Sequence, residues 1–104
     1  MVSLPTPMNR ESSTGRVPPN SLDAERAVLG GILLENGAMN IVVEILEAEH
    51  FYSSANGIIF ETMRALFARN EPIDQVTLRS ALVGGNKLAS VGGDDYLLSL
   101  SMSI

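Results

Sequence analysis

Cysteine is absent from this chain of 104 residues, and lysine and histidine occur once each, as Lys87 and His50. Without thiols there can be no disulfide and no thiolate zinc site. With one histidine, no histidine pair is available to hold a metal, and nothing in the sequence assembles a nucleophile, a base and an oxyanion donor. His50 is read as a solvated corner residue, with pairing to Glu47 or Glu49 as the alternative. The lone lysine lies between Asn86 and Leu88, so the Gly-Lys-Ser or Gly-Lys-Thr step of a P-loop is missing. Gly84-Gly85 and Gly92-Gly93 are therefore read as helix stops and turn formers. Long apolar runs are also missing: the longest are a few residues, against the roughly 20 that a membrane span needs. The N-terminus lacks an apolar run and carries Pro5, Pro7, Pro18 and Pro19, which is unlike a signal peptide.

Basic charge is scarce where folding is expected. Residues 1–20 hold two arginines and one glutamate, a net of +1, whereas residues 21–104 hold five basic residues against eleven acids, a net of −6. Phosphate backbones are bound by clustered Lys and Arg. The balance here argues against direct nucleic-acid binding and for a partner protein with a basic patch. What is present is 45% apolar and 18% charged residues, the composition of one folded, soluble domain with the cytoplasm as its default location. A chain of this size buries only about 60–65% of the surface exposed by its unfolded form, so stability should be modest.

Residues 1–20 mix Ser, Thr, Pro, Asn and Gly and are expected to be mobile, with a tail over 1–17 and a domain over 18–104. Ser21 or Asn20 caps a first helix over Leu22–Leu34, with Asp23 and Glu25 favoured in its first turn by the helix dipole. Gly30-Gly31 interrupts that helix and is read as a point of close approach by another helix. Glu35-Asn36-Gly37 breaks the chain, and Asn36 is placed as the cap of the next helix. Residues 38–48 put Met39, Val42, Val43, Ile45 and Leu46 on one broad face. Their β-branched content also suits a strand, but no neighbouring period-2 partner or hairpin turn supports one.

A corner at Glu49–Tyr52 leads to a third helix, capped by Ser53 or Ser54 and running to about Arg69. Its stripe of Ile58, Ile59, Phe60, Met63, Leu66 and Phe67 is the strongest amphipathic signal in the chain. Asn70 and Pro72 end it. Asp74 caps a fourth helix carrying Val76, Leu78, Leu82 and Val83, stopped by Gly84-Gly85. A last helix starts near Asp94 with Tyr96, Leu97, Leu98 and Leu100. The fold class is all-α, a compact bundle of about five short helices. On composition and pattern alone the reading stops at a soluble, acidic helical domain.

The opening Pro18-Pro19-Asn20-Ser21-Leu22-Asp23-Ala24-Glu25-Arg26-Ala27-Val28-Leu29-Gly30 resembles that of DnaB-type replicative helicases, roughly Pro-Pro-x-Ser-x-Glu-Ala-Glu-x-x-Val-Leu-Gly. The likeness continues in order through Phe51-Tyr52, Ile59-Phe60, Glu71-Pro72-Ile73-Asp74 with Thr77-Leu78, and Val91-Gly92-Gly93 with Tyr96-Leu97. Asp23 stands for the usual glutamate, His50 for a common aspartate and Asn56 for a frequent histidine, changes expected to touch only local capping and corner contacts. In the family, Tyr-Leu leads into a Thr-Pro turn, a helical hairpin, a linker helix and a RecA-like motor. Here Ser101-Met102-Ser103-Ile104 follows instead.

The resemblance implies an N-terminal docking and assembly domain that is not itself an enzyme. Its implied partners are other helicase subunits in a hexamer collar, the helicase-binding domain of primase, and a helicase loader. No catalytic residue, metal or cofactor is implied for this part, since ATP and magnesium belong to the motor. The primase helicase-binding region, of similar fold, is a second reading, although it lacks the opening motif. An independent small enzyme is a third, which a nucleotide-hydrolysis assay would reveal. Candidate partner contacts are Tyr96, Leu100, Glu44 and Glu47. Tyr96 reads equally as a half-buried core residue, and the Glu44, Glu47 and Glu49 run as a solvated face. Exposure of Leu100, Met102 and Ile104 would follow merely from where the sequence stops.

Overall fold

Ser21 begins the part of the chain, residues 21–102, that the computed structural model describes. The expected tail over 1–17, and Ile104, lie outside it. Five α-helices follow one another: α1 (Leu22–Leu34), α2 (Met39–Ile45), α3 (Ser54–Ala68), α4 (Gln75–Gly84) and α5 (Gly93–Leu100). Short 3-10 turns at Asn36–Ala38, Ala48–His50 and Ala89–Val91 lie in the connections, and no strand occurs among the described residues.

The helix starts are local chemistry. The Ser21 hydroxyl accepts the Ala24 N–H at 3.3 Å, the Ser53 hydroxyl that of Asn56 at 3.2 Å, and the Asp74 carboxylate that of Thr77 at 2.9 Å. Each satisfies one of the N–H groups that a helix start leaves without an intrahelical partner. Asn70 ends α3 in the left-handed region at φ 60°, as expected, with Pro72 two residues on. After α4, the left-handed residue is Asn86 (φ 59°) rather than either glycine of Gly84-Gly85.

Helix α3 is the axis of the packing. It lies against α1, α2, α4 and the 3-10 turns at Ala48–His50 and Ala89–Val91, while α5 closes on α1 and α4. Its Ile59, Phe60, Met63 and Leu66 are buried together with Leu29 and Ile32 of α1, Met39, Leu78, Leu82, Val91, Leu97 and Leu100. Phe51 meets Phe60 with ring centroids 5.2 Å apart. Burying a side chain such as Phe60 contributes about 2–3 kcal/mol, so this one stripe anchors the domain.

Two expectations need correction. Helix α2 is seven residues long and stops at Ile45, and Leu46 is extended. Its face is accordingly narrower: Met39 is buried and Val42, Val43 and Leu46 pack on the core, but Ile45 points to solvent. Asn36 does not cap α2. Its amide instead donates to the carbonyls of Ile32 (2.8 Å) and Ile73 (2.9 Å), and its oxygen accepts the Ile73 N–H (2.8 Å). This clamp ties the end of α1 to the segment entering α4. Of the Gly30-Gly31 pair, Gly31 is not a point of close approach, since a Cβ built there meets nothing within 4 Å, whereas Gly30 is buried. A close approach is made at Gly57, where a Cβ would lie 2.9 Å from the Ala48 carbonyl oxygen.

Candidate functional site

Of the candidate contacts, Tyr96 belongs to a connected polar network with Glu25 and Asn56. Glu25 and Leu29 are one helical turn apart, and Ile32 follows three residues later, so Glu25 continues the buried stripe of α1. Its carboxylate accepts the Tyr52 N–H at 2.6 Å, the Ser53 N–H at 3.3 Å and the Asn56 side-chain amide at 2.8 Å. A buried carboxylate is tolerated only when it is hydrogen-bonded in this way. Asn56 is 1% exposed, and its oxygen in turn accepts a hydrogen bond from the Tyr96 hydroxyl. The chain of contacts joins α1, the start of α3 and α5.

Tyr96 therefore takes the core alternative as far as its hydroxyl is concerned, while its ring borders a hollow shared with Leu22, Arg26, Ser53 and Ala89. Burial pushes its phenol above the ordinary tyrosine value, with the Arg26 charge and the Asn56 hydrogen bond acting the other way. Arg26 itself reaches Asp23 at 3.2 Å, and its Nε is buried without a hydrogen-bond partner. Gly92, at φ 106°, brings the backbone against the Tyr96 ring: a Cβ there would lie 2.9 Å from the Tyr96 Cβ.

The other candidates separate. Leu100 is fully buried, so it is a core residue and not a contact made by an exposed end. The Gln75 amide pins that end of α5 by donating to the Leu97 carbonyl at 2.6 Å and the Ser101 hydroxyl at 2.9 Å. Met102 is exposed. Glu44 and Glu47 are both exposed, on α2 and just before the 3-10 turn that follows it. Neither forms an ion pair with another described residue; the ion pairs among these residues are Arg26–Asp23, Arg64–Glu61, Arg69–Glu71 and Arg79–Asp94. His50 is exposed and accepts the Glu47 backbone N–H at Nδ1, 3.0 Å away, so it closes its own turn. Ile41 and Ile45, a helical turn apart on α2, are each 67% exposed, and Leu34 at the end of α1 is also exposed.

Glu25 does lie in the first turn of α1 and Asn56 does join the corner, as the sequence reading has them, but that reading does not foresee the burial of either side chain. A signal was present in each case. Asn56 shares its stripe with Ile59, Phe60 and Met63 at helical spacing, and Glu25 shares one with Leu29 and Ile32. A polar residue at a core position requires a buried partner. The partners lie 27 to 40 residues away, where sequence spacing gives no guide.

No described helix is long and apolar enough to cross a membrane, and no group of three His, Asp or Glu among the described residues is placed to hold a metal ion.

This geometry has known counterparts. The family model of the DnaB-like helicase N terminal domain matches residues 17–104. The replicative DNA helicase DnaB of Buchnera aphidicola from Schizaphis graminum is 42% identical over 86 residues, 83% of this chain and 18% of that protein. DnaB of Geobacillus stearothermophilus is 39% identical over 86% of this chain and 20% of its own length. DnaB of Haemophilus influenzae is 39% identical over 97% of this chain and 22% of its own length. The chain thus spans about a fifth of the length of these relatives. The crystal structure of the N-terminal domain of DnaB helicase from Mycobacterium tuberculosis superposes with a TM-score of 0.79 at 36% identity, covering 85% of this chain and 61% of that one. With the family model matching residues 17–104 and the fold superposing over 85% of its length, the chain belongs to the family of DnaB-like helicase N-terminal domains.

Proposed function

We propose that this domain is a docking and assembly module of a cytoplasmic replicative helicase, one that joins its neighbours in a hexamer collar and receives the helicase-binding domain of primase, and in some states a loader. Nucleotide and magnesium chemistry belongs, on this reading, to motor domains, and the domain acts by contact alone.

The observation that carries the proposal is the outward face of α2. Ile41 and Ile45 stand one turn apart and largely exposed, with Glu44 beside them, on a helix whose other face is already packed on the core. Exposed apolar anchors within an acidic surround suit protein docking, since the anchors supply affinity and the charge guides encounter. Family membership makes subunits and replication proteins the natural partners.

The test is an NMR titration of the domain with the helicase-binding domain of its cognate primase, alongside sedimentation of the domain alone. A discrete set of shifted amides, or self-association lost in Ile41→Ser/Ile45→Ser, is the expected result. Neither shifts nor association at millimolar concentration would overturn the proposal.

A further inference from the structure

Where the 3-10 turn at Ala48–His50 lies on α3, the surface is hollowed into a groove. Ala48, Phe51, Gly57 and Ile58 make its apolar floor, and Glu49 and Glu61 stand on its rim. The close contact at Gly57 creates it: without a side chain there, the Ala48 carbonyl settles onto the helix. The two ends differ in charge. Glu47 and Arg64 lie toward one end, Tyr52 and Lys87 toward the other. Glu61 is committed to Arg64, while Glu47 and Glu49 have no ion-pair partner among the described residues. Around the first end three carboxylates, Glu47, Glu49 and Glu61, face one cation, Arg64, whose charge acts on Glu61 and Glu47 alike, leaving an excess of negative charge. The other end holds the only lysine of the chain, with Glu49 and Glu61 between the two. Tyr52, 67% exposed, offers its ring as a wall, while its backbone is fixed by Glu25.

We propose that this groove is a polarised docking site for a partner protein's segment that carries an apolar anchor followed by Lys or Arg. The anchor covers Ala48, Phe51 and Ile58, and the basic side chains meet Glu47 and Glu49. Lys87 sets the direction, because a cation placed at its end is repelled. The proposal rests on the docking reading and adds the location, chemistry and polarity of one contact. Charge complementarity of this kind governs encounter and register more than total affinity, and opposed charges at the two ends reject the reversed orientation.

The probe is a synthetic amphipathic peptide of leucine and lysine, titrated into the isotope-labelled domain at low salt. Expected shifts cluster on Ala48, Glu49, Phe51, Gly57 and Ile58. The Glu49 side chain makes no hydrogen bond to another described residue, so Glu49→Lys removes no bond that holds the turn and should weaken binding on the order of tenfold. Lys87→Glu should tighten it severalfold. Asp95→Lys changes the net charge as much as Glu49→Lys does but lies outside the groove, and should alter binding less than about twofold. Shifts scattered over the surface, or equal effects of Glu49→Lys and Asp95→Lys, would reduce the attraction to net charge and overturn the groove. A blank peptide titration together with binding of the primase domain on another face would overturn it too, and would leave the docking reading standing. If primase and sister subunits fail to bind as well, the docking reading falls with it.

Discussion

Removing the Tyr96 hydroxyl isolates what it contributes. Tyr96→Phe keeps the ring against Gly92 but leaves the Asn56 oxygen, in a residue 1% exposed, without that donor. A loss of about 1–2 kcal/mol is expected at neutral pH, readable from urea midpoints. The pH dependence has a definite sign. Burial raises the folded-state value of this phenol, so its contribution is complete below the ordinary tyrosine value, about 10. As pH climbs past that point the unfolded chain ionises first, and stability falls until the raised folded value is passed. Tyr96→Phe should lack this alkaline loss, and parallel urea titrations at neutral and alkaline pH would check it. At this scale the sequence was legible where partners are near. The caps at Ser21, Ser53 and Asp74 reach only three residues ahead. Glu25, Asn36 and Asn56 were not legible, because each bonds across the fold and only the tertiary structure supplies its partner.

Among the elements, α3 was read almost to the residue and α2 was not, for the same reason. A stripe of large apolar residues over fifteen positions fixes both the face and the length of α3. The Met39–Ile45 segment is short and rich in β-branched residues of weak helix preference. Its end is set by the turn that must bring Ala48 onto Gly57. Two glycines within helices make a paired test. Gly31→Ala adds a methyl into open space and should stabilise the domain by about 0.5–1 kcal/mol through helix preference. Gly57→Ala gains the same preference, but its methyl would lie 2.9 Å from a backbone oxygen. The turn would have to move, for a net loss of about 1–2 kcal/mol. Thermal melts of the two variants should therefore shift in opposite directions; a stabilising Gly57→Ala would show that the turn yields freely.

For the molecule as a whole, the net charge of −6 over residues 21–104 bears on rates of association. Encounter with a basic partner should slow as salt is raised, while dissociation changes little, because long-range attraction is screened and short-range contacts much less so. Stopped-flow association at several ionic strengths would show this, and salt-independent encounter would remove electrostatic guidance from the account. The all-α class and the order of helices were legible at this scale because each connection is short. The groove was not, since it arises from a contact between a turn and a helix rather than from any one pattern. Tyr52 joins these scales. Its ring is open to solvent, but its amide N–H donates to a carboxylate of α1 with the nitrogen 2.6 Å from the oxygen, in a corner outside every helix. Solvent deuterium should therefore reach that amide only when α1 and α3 part, so a residue that looks like mobile surface should exchange as slowly as the core. Its protection would report the separation of those two helices directly.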